Sequence, residues 1–577
     1  MSENPSTATT PRLEEFTTFV HQMLKEWQVQ GTAITIVKDG QVIFQQAFGK
    51  RDTKHDLDVT PQTLFPIASC SKAFTTAALA ILADEGRLDW DTPIRTYIPT
   101  FRLADPFASE RLTARDLVSH RSGLPRHDLA WYNSTASRKE LFERLPYLEP
   151  TKDFRTLWQY QNLMYMAAGY LIEQITGQTW EEFVRVRIFE PLSMRQSNFS
   201  IVETSEQAEN FSHPYKESKG EVNEIAFYGA QGAIGPAGAI VSNIEELSNW
   251  LQLHLNKGLY NDQRILSESQ VIQLHAPQMV IPGMDNYPER PFASYALGWF
   301  VQPYRGYPMI HHGGNIDGFS SLVSLFPSQN IGIAVLTNMS GSPVPTLLTY
   351  AAFEHLVGLE RVDWHARAQK TREEFKAAEQ QGQEQDAGER IPDTQPSHRL
   401  EAYVGTYTHP GYGTFEVTLD SEELYAEFNQ MKAPLKHYHY DIFSLEIERF
   451  DINLKASFQG TVRGDIDILI VPLEPTANDI VFKRSINKQL TEKSFLEQFI
   501  GEYKVLDTVM VVVLKGEQTL QATIPGQPDY ELLPYKETEF HVKGLSGIRI
   551  NFVLDVEGQV IESKLTLPYG VFNAKKK

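Results

Sequence analysis

The chain contains a single cysteine, Cys70, among its 577 residues, which excludes an intrachain disulfide and a cage of thiolate metal ligands. We interpret Cys70 as a small buried helix residue. No apolar run reaches the length that a helix needs to cross a bilayer. Basic residues are fewer than acidic ones, 53 against 73, and the formal net charge is −20. Because such a surface repels phosphate groups, we expect no nucleic-acid partner.

Hydrophobic residues make up 41% of the sequence, which is enough to form ordinary buried cores. A chain of 577 residues exceeds one compact domain, so we expect about three domains. Residues 1–11 are polar and rich in Ser, Thr and Pro, without the basic start and apolar core of a secretory signal. We therefore expect a cytoplasmic protein, or one outside the cytoplasm if a signal has been removed.

The stretch of residues 67–76 holds the first candidate catalytic residues. An apolar run over residues 77–83 follows, and the pattern predicts a helix that ends near Gly86. Ser69 and Lys72 are three residues apart, so they share one helical face and the amine can reach the hydroxyl. A serine becomes an effective nucleophile when a nearby base takes its proton. The N-terminus of the helix also favours a developing oxyanion.

A second candidate site is Tyr160-Gln161-Asn162, which precedes a helix-like run over residues 164–176 ending at Gly177. Tyr160 is therefore expected on the loop that enters a helix, with its hydroxyl pointing into a cleft. A tyrosine beside two cations can lose its proton far below its usual pKa, which makes Tyr160 a candidate base.

A third candidate lies in His312-Gly313-Gly314-Asn315, on a predicted strand edge. Glycines at such an edge let a substrate backbone approach closely. His311 and His312 could also suggest a metal pair. Adjacent strand residues point to opposite faces, however, and no third ligand is evident, so we expect no metal and no cofactor.

With Ser69-x-x-Lys72, Tyr160-x-Asn162 and His312-x-Gly314 in this order, the chain resembles the class C β-lactamase-like serine hydrolases. That family includes D-alanyl-D-alanine carboxypeptidases, D-aminopeptidases and esterases. The resemblance covers about residues 12–360 and implies acyl transfer. In it, the serine attacks a carbonyl, the lysine and tyrosine share the proton, and main-chain N–H groups form the oxyanion hole. The implied catalytic residues are Ser69, Lys72, Tyr160 and His312, and the implied substrate-binding or oxyanion residues are Asn162, Gly313, Gly314 and Asn315, with the N–H groups of Ser69 and Asn315 facing the oxyanion.

Two departures from the family pattern narrow the expected chemistry. Class C β-lactamases carry a lysine at the position of His312, and a mostly neutral histidine holds a substrate carboxylate less well. A Glu-x-x-Leu-Asn segment, which the class A deacylation route needs, is missing. We therefore expect weak or no β-lactamase activity, and instead a peptidase on D-amino-acid-containing or linear peptides, or an esterase. The alternative is a catalytically retired protein that binds a ligand or partner.

Further patterns predict secondary structure around the candidate catalytic residues. Patterning predicts a helix over residues 13–27, a hairpin from residues 32–37 and 42–48, and a capping box at residues 242–245 before a helix to about Leu255. Residues 229–239 form a glycine-rich loop that the resemblance places beside the active site. His120, in the segment His-Arg-Ser-Gly-Leu, is interpreted as structural.

Beyond residue 362 the composition changes. Residues 363–396 are rich in Glu, Gln, Lys and Ala and are predicted to form a solvated helix running into a linker. Residues 400–407 (Leu-Glu-Ala-Tyr-Val-Gly-Thr-Tyr) match residues 496–503 (Leu-Glu-Gln-Phe-Ile-Gly-Glu-Tyr), and each copy continues as short alternating strands. The two copies resemble the lipocalin-like barrels found behind some members of this family.

The predicted fold class is therefore α+β: a β-lactamase/DD-peptidase-like domain with an antiparallel sheet flanked by helices, followed by two small antiparallel barrels. We place the hydrolase domain at residues 12–362, the linker at 363–396 and the barrels at 397–485 and 494–574. The expected partner is a small-molecule or short-peptide substrate, and linear peptides fit if the barrels close one end of the cleft. The sequence does not indicate the oligomeric state.

Overall fold

The computed structural model describes residues 10–226, 232–283, 287–447, 452–486 and 488–577. The start of the glycine-rich loop, residues 229–231, and most of the polar N-terminal segment lie outside the described residues. The helices of the first part span Thr10–Glu26 (α1), Ser71–Asp84 (α2), Ile94–Tyr97 (α3), Pro106–Arg111 (α4), Ala114–Val118 (α5), Arg138–Arg144 (α6), Asn162–Thr176 (α7), Trp180–Val184 (α8), Ile201–Gln207 (α9), Gly235–Gly238 (α10), Ile244–Leu255 (α11), Glu268–His275 (α12), Val344–Val357 (α13) and Trp364–Glu389 (α14).

The strands of the first part form one antiparallel sheet and several two-stranded ribbons. They span Gly31–Lys38 (β1), Gln41–Asp52 (β2), Leu57–Asp58 (β3), Phe65–Pro66 (β4), Tyr215–Ser218 (β5), Glu221–Glu224 (β6), Val241–Ser242 (β7), Leu259–Tyr260 (β8), Gln263–Arg264 (β9), Met279–Ile281 (β10), Ala293–Tyr295 (β11), Phe300–Tyr304 (β12), Tyr307–Ile316 (β13), Phe319–Phe326 (β14) and Ile331–Thr337 (β15). The nine-stranded sheet has the order β10-β11-β12-β13-β14-β15-β1-β2-β3. The predicted hairpin is β1–β2.

The sheet is covered on both faces, which explains why β1, β14 and β15 are almost continuously apolar or buried. Helices α1 and α13 contribute their apolar residues to the cluster on one face. On the other face, α2, α7 and α11 belong to a larger cluster. Helix α2 is buried from Ser71 to Leu82, so its first turn is fixed at the centre of the helical layer.

Two closed antiparallel barrels of eight strands follow. The strands of the first barrel span Gly405–His409 (β16), Gly413–Asp420 (β17), Glu423–Phe428 (β18), Met431–His439 (β19), Ile442–Ile447 (β20), Ile452–Gly460 (β21), Ile466–Val471 (β22) and Ile480–Arg484 (β23). After the helix Lys493–Glu497 (α15), those of the second span Gly501–Val505 (β24), Thr508–Lys515 (β25), Thr519–Thr523 (β26), Tyr530–Lys536 (β27), Glu539–Val542 (β28), Leu545–Leu554 (β29), Val560–Leu567 (β30) and Gly570–Lys576 (β31). The predicted α+β fold with two barrels is confirmed. Among the described residues, every helix is too short or too polar to cross a bilayer.

Among the local predictions, the structure corrects the cap of α11. The predicted stop of α7 is confirmed, because Gly177 adopts φ 74° and its N–H bonds to the carbonyl of Glu173. Helix α11, however, is capped by Asn243, whose side chain accepts the N–H of Glu246, so the capping residue is one position later than the predicted Ser242. The helix of the linker extends as far as Glu389.

Candidate active site

Ser69 lies in a single 3₁₀ turn, Ala68–Cys70, that leads directly into α2. Ala68 before it adopts φ 47°, a left-handed conformation that is rare for a residue with a Cβ and is often found at functional turns. Lys72 lies in the first turn of α2 and its side chain is buried. Its Nζ is 3.0 Å from the Oγ of Ser69, so the expected i, i+3 approach is present.

The surroundings of Lys72 favour a neutral amine. Burial, followed by the positive charge of Arg126, holds the pKa of Lys72 well below its usual value. The Nζ group donates hydrogen bonds to Oδ1 of Asn162 at 2.8 Å and to the carbonyl of Ala237 at 2.8 Å. A neutral amine has two N–H bonds and one lone pair. In that form the two carbonyl oxygens accept the N–H bonds and the lone pair is left for the proton of Ser69, whereas in the charged form the third N–H donates to Oγ of Ser69.

Tyr160 lies at the same site, on the loop before α7. Its ring centroid is 4.8 Å from Nζ of Lys72 and 5.0 Å from the guanidinium carbon of Arg126. The expected lowering of its pKa is wrong, because burial raises the pKa of the phenol and a hydrogen bond to Ser69 and the charge of Arg126 offset this only in part. The physical reason is that burial disfavours the charged phenolate more than the nearby positive charge favours it. Tyr160 therefore keeps its proton in the free protein.

His312 is buried on β13, with its ring centroid 6.3 Å from that of Tyr160. Its Nδ1 lies 2.7 Å from the carbonyl of Gly313, so Nδ1 must donate, and Nε2 accepts from the hydroxyl of Tyr295 at 2.9 Å. Burial and the neighbouring Lys72 hold the pKa of His312 well below its usual value. Both ring nitrogens are therefore engaged by the protein, and the ring is neutral.

The two glycines after His312 differ in their surroundings. A Cβ on Gly314 would lie 2.1 Å from the carbonyl oxygen of Ile67, so Gly314 lets β13 pack against the turn that carries Ser69. A Cβ on Gly313 would meet nothing closer than 3.7 Å, and Gly313 lines the open cleft. The close approach that Gly314 permits is thus to the protein itself. Asn315 follows at the rim of the cleft.

Cys70 and His120 hold the elements that carry the site residues in place through hydrogen bonds and ring contacts. The Sγ of Cys70 donates to the carbonyl of His312 at 3.1 Å, which ties α2 to β13, and burial raises the pKa of this thiol to about 11. Nδ1 of His120 accepts the N–H of Gln161 at 3.0 Å, and its ring lies 4.4 Å from that of Tyr160.

Sequence reasoning missed a carboxylate at the site, Asp128. Its Oδ1 accepts from Nδ2 of Asn162 at 3.0 Å, and its Oδ2 accepts from Nε of Arg126 at 2.6 Å. Asp128 thereby orients the amide whose oxygen holds Lys72. No spacing rule links Asp128 to Ser69 or Asn162. The only signal was its place just after the turn at Pro125.

These residues open into a cleft of about 1320 Å³. Its lining is largely apolar and aromatic, and it includes residues of the first barrel beside those of the hydrolase domain. The lining contains Ser69, Trp131, Tyr132, Trp158, Tyr160, Phe300, Met309, Leu322, Ile452, Leu454, Leu473 and Glu474. Across the part of the chain that the structure describes, no group of three His, Cys, Asp or Glu side chains is arranged to hold a metal ion.

Comparison with known proteins adds independent findings. The family profile described as "Beta-lactamase" matches residues 16–356. A second profile, described as a domain of unknown function (DUF3471), matches residues 389–484. Among curated relatives, the unguisins hydrolase ungD' of Aspergillus campestris is 27% identical over 534 residues, covering 86% of this chain and 97% of that protein. Protein flp of Staphylococcus aureus is 26% identical over 345 residues, or 58% of this chain and 65% of that protein.

Solved structures share the fold at low identity. The octameric penicillin-binding protein homologue from Pyrococcus abyssi superposes with a TM-score of 0.54 at 22% identity, covering 82% of this chain and 100% of that one. D-amino acid amidase from Ochrobactrum anthropi superposes with a TM-score of 0.50 at 20% identity, covering 59% of this chain and 97% of that one.

Proposed function

Because the chain belongs to the Beta-lactamase family and is a serine hydrolase, we propose that it cleaves an amide or ester bond through an acyl-enzyme on Ser69. One observation carries the proposal: the buried amine of Lys72, whose pKa is held well below its usual value, lies 3.0 Å from the hydroxyl of Ser69 and donates to two carbonyl oxygens. This is the geometry that a general base needs to activate a serine.

In the first step, Lys72 takes the proton of Ser69 while Oγ attacks the substrate carbonyl. The negative charge that develops on the carbonyl oxygen is assigned to the main-chain N–H groups of Ser69 and Asn315. The removal of one such donor typically costs about 10²–10³ in rate. Asn162, fixed by Asp128, keeps the amine in position as it becomes charged.

In the second step, the tetrahedral intermediate collapses and the proton on Lys72 passes to the leaving group. Tyr160 is protonated and adjacent to Ser69, so its hydroxyl can relay this proton without ever becoming a free phenolate. Water then attacks the acyl ester, and the same groups act in reverse to release the acid and restore Ser69.

The substrate class follows from the lining of the cleft. A largely apolar and aromatic cleft of about 1320 Å³ suits a peptide or ester with bulky apolar groups, and the first barrel contributes part of its wall. We assign the activity to a peptidase on D-amino-acid-containing or linear peptides, or to an esterase. Names among its similar proteins, a hydrolase of unguisins and an amidase of D-amino acids, agree with this class. His312 is neutral and fully engaged, so a β-lactam carboxylate has no fixed cation there, and we expect weak or no β-lactamase activity.

The test is a substrate panel with a covalent probe. The panel holds p-nitrophenyl esters, D- and L-aminoacyl anilides and nitrocefin, and a fluorophosphonate reports whether Ser69 is reactive. We expect labelling that Ser69→Ala abolishes, turnover of esters or D-aminoacyl anilides, and little nitrocefin hydrolysis. A wild-type protein that is neither labelled nor active would instead favour a retired hydrolase that binds a ligand.

A further inference from the structure

The first barrel places a buried carboxylate beside the active site. Glu474 lies in the connection between β22 and β23, is 5% exposed, and lines the cleft that contains Ser69. Its Oε2 accepts the main-chain N–H of His127 at 2.8 Å. Its Oε1 accepts from the hydroxyl of Thr476 at 2.6 Å, which fixes the carboxylate within its own loop.

Two other loops of the same barrel hold the same segment of the hydrolase domain, residues 126–133. The hydroxyl of Tyr412, between β16 and β17, donates to Nδ1 of His127 at 2.7 Å. Asn429, between β18 and β19, donates to the carbonyl of Leu129 at 2.9 Å. Hairpin loops alternate between the two ends of an antiparallel barrel, so all three contacts come from one end.

Segment 126–133 needs such external support. His127 adopts φ 45°, which is unfavourable for a residue with a Cβ and persists when the surroundings hold it. It lies between Arg126, whose guanidinium is 5.0 Å from the ring centroid of Tyr160, and Asp128, which holds Asn162. A displacement of His127 therefore moves both neighbours, and through Asn162 it moves the amine of Lys72.

We propose that Glu474 of the first barrel is a positioning residue of the active site. It acts through the N–H of His127 and the Asp128–Asn162 hydrogen bond, and it keeps Lys72 aligned with Ser69. The barrel is thus a working part of the catalytic machinery as well as a wall of the cleft. This inference rests on the proposed function, because alignment of Lys72 matters only if Lys72 is the base.

The test compares Glu474→Ala, Glu474→Gln and a control, Glu446→Ala, in the full-length protein. Glu446 is an exposed residue of the same barrel whose partner is Lys436. Misplacement of catalytic groups by about 1 Å can cost 10²-fold in rate. For Glu474→Ala we expect the rate of fluorophosphonate labelling and the kcat for the best ester to fall about 10- to 100-fold, with KM within about threefold. Glu474→Gln keeps an oxygen for the N–H of His127 and should stay within about threefold of wild type, as should Glu446→Ala.

A double-mutant cycle separates positioning from general destabilisation. If Glu474 acts through Asp128, Glu474→Ala should lower the rate less than about threefold in an Asp128→Ala background, where the acceptor for Asn162 is gone. The proposal is overturned if Glu474→Ala alone stays within threefold of wild type, or if its full effect persists in the Asp128→Ala background. Should Glu474→Ala show no melting transition, Tyr412→Phe takes its place. Its expected loss is about 3- to 10-fold in kcat, and an unchanged kcat would overturn the proposal. A wild-type chain that the probe does not label would mean that the proposed function has failed, which is a different outcome.

Discussion

Replacement of Lys72 by alanine is the most direct test of the active site. The substitution removes the amine that lies 3.0 Å from Oγ of Ser69. Neither neighbour can replace it, because Tyr160 keeps its proton and both ring nitrogens of His312 bond to protein groups. A general base contributes about 10²–10⁴ in rate. We expect the upper half of that range, about 10³–10⁴ in kcat/KM, which corresponds to about 4.1–5.4 kcal/mol at 1.36 kcal/mol per decade.

The pH dependence of the rate provides a second readout. Lys72 can accept a proton only when it is neutral, so the wild-type rate rises as pH increases through the pKa of Lys72 and is constant above it. Because burial holds that pKa well below its usual value, the rise should fall far below pH 10.5. In Lys72→Ala this limb should disappear.

The assay is hydrolysis of the best p-nitrophenyl ester between pH 5 and about 10. This window lies above the ordinary pKa values of carboxyl groups and below that of an unperturbed lysine. Lys72→Arg serves as the matched variant, because a guanidinium keeps N–H donors on a long side chain but stays protonated and cannot act as a base. It should lose as much activity as Lys72→Ala. A rate for Lys72→Ala within threefold of wild type, or an unaltered pH limb, would refute the role assigned to the amine.

Three further predictions concern packing, charge and reactivity. Gly314→Ala would place a Cβ 2.1 Å from the carbonyl oxygen of Ile67, just before the turn that carries Ser69, so the rate of ester hydrolysis should fall at least about 10²-fold. The control Gly313→Ala should lower that rate less than about tenfold. Equal rates for the two variants would contradict this packing. Asp116 is buried, but the hydrogen bond from Arg155 and nearby positive charge hold its pKa below the usual value against the effect of burial. The native pair therefore stabilises the fold above the unfolded pKa, and this contribution is lost as pH falls through the folded pKa. Urea titration at pH 7 should show that Asp116→Asn lowers the free energy of unfolding by about 1.5–3 kcal/mol. This difference from wild type should shrink toward pH 3, and a difference that does not change with pH would argue against a charged Asp116. Burial raises the pKa of Cys70 to about 11, so a thiol reagent at pH 8 should modify it only after unfolding, and rapid labelling of the native protein would count against this placement.

Local sequence rules predicted the parts of the site that lie on one element. The i, i+3 geometry predicted that Lys72 lies beside Ser69, and it does so because the 3₁₀ turn that carries Ser69 continues directly into α2. The stop of α7 at Gly177 followed from the same kind of reasoning. The antiparallel barrels could be predicted from the internal repeat and the alternating strands.

Features that depend on contacts distant in sequence could not be predicted this way. Asp128 reaches Asn162 because the barrel holds its loop, and the contact that fixes the loop spans 347 residues. Tyr160 keeps its proton because the phenol is buried, and burial is a property of the assembled site. The role of Gly314 likewise depends on the packing of β13 against the nucleophile turn.

The hydrogen bond between Glu474 and the N–H of His127 also sets an order of events during synthesis. Glu474, which accepts the N–H of His127, is synthesised 347 residues after His127. At about 5–20 residues per second, that delay is about 20–70 s. During this interval a nascent hydrolase domain lacks the hydrogen bonds that hold its strained loop, so maturation of the catalytic centre is tied to completion of the first barrel on the ribosome.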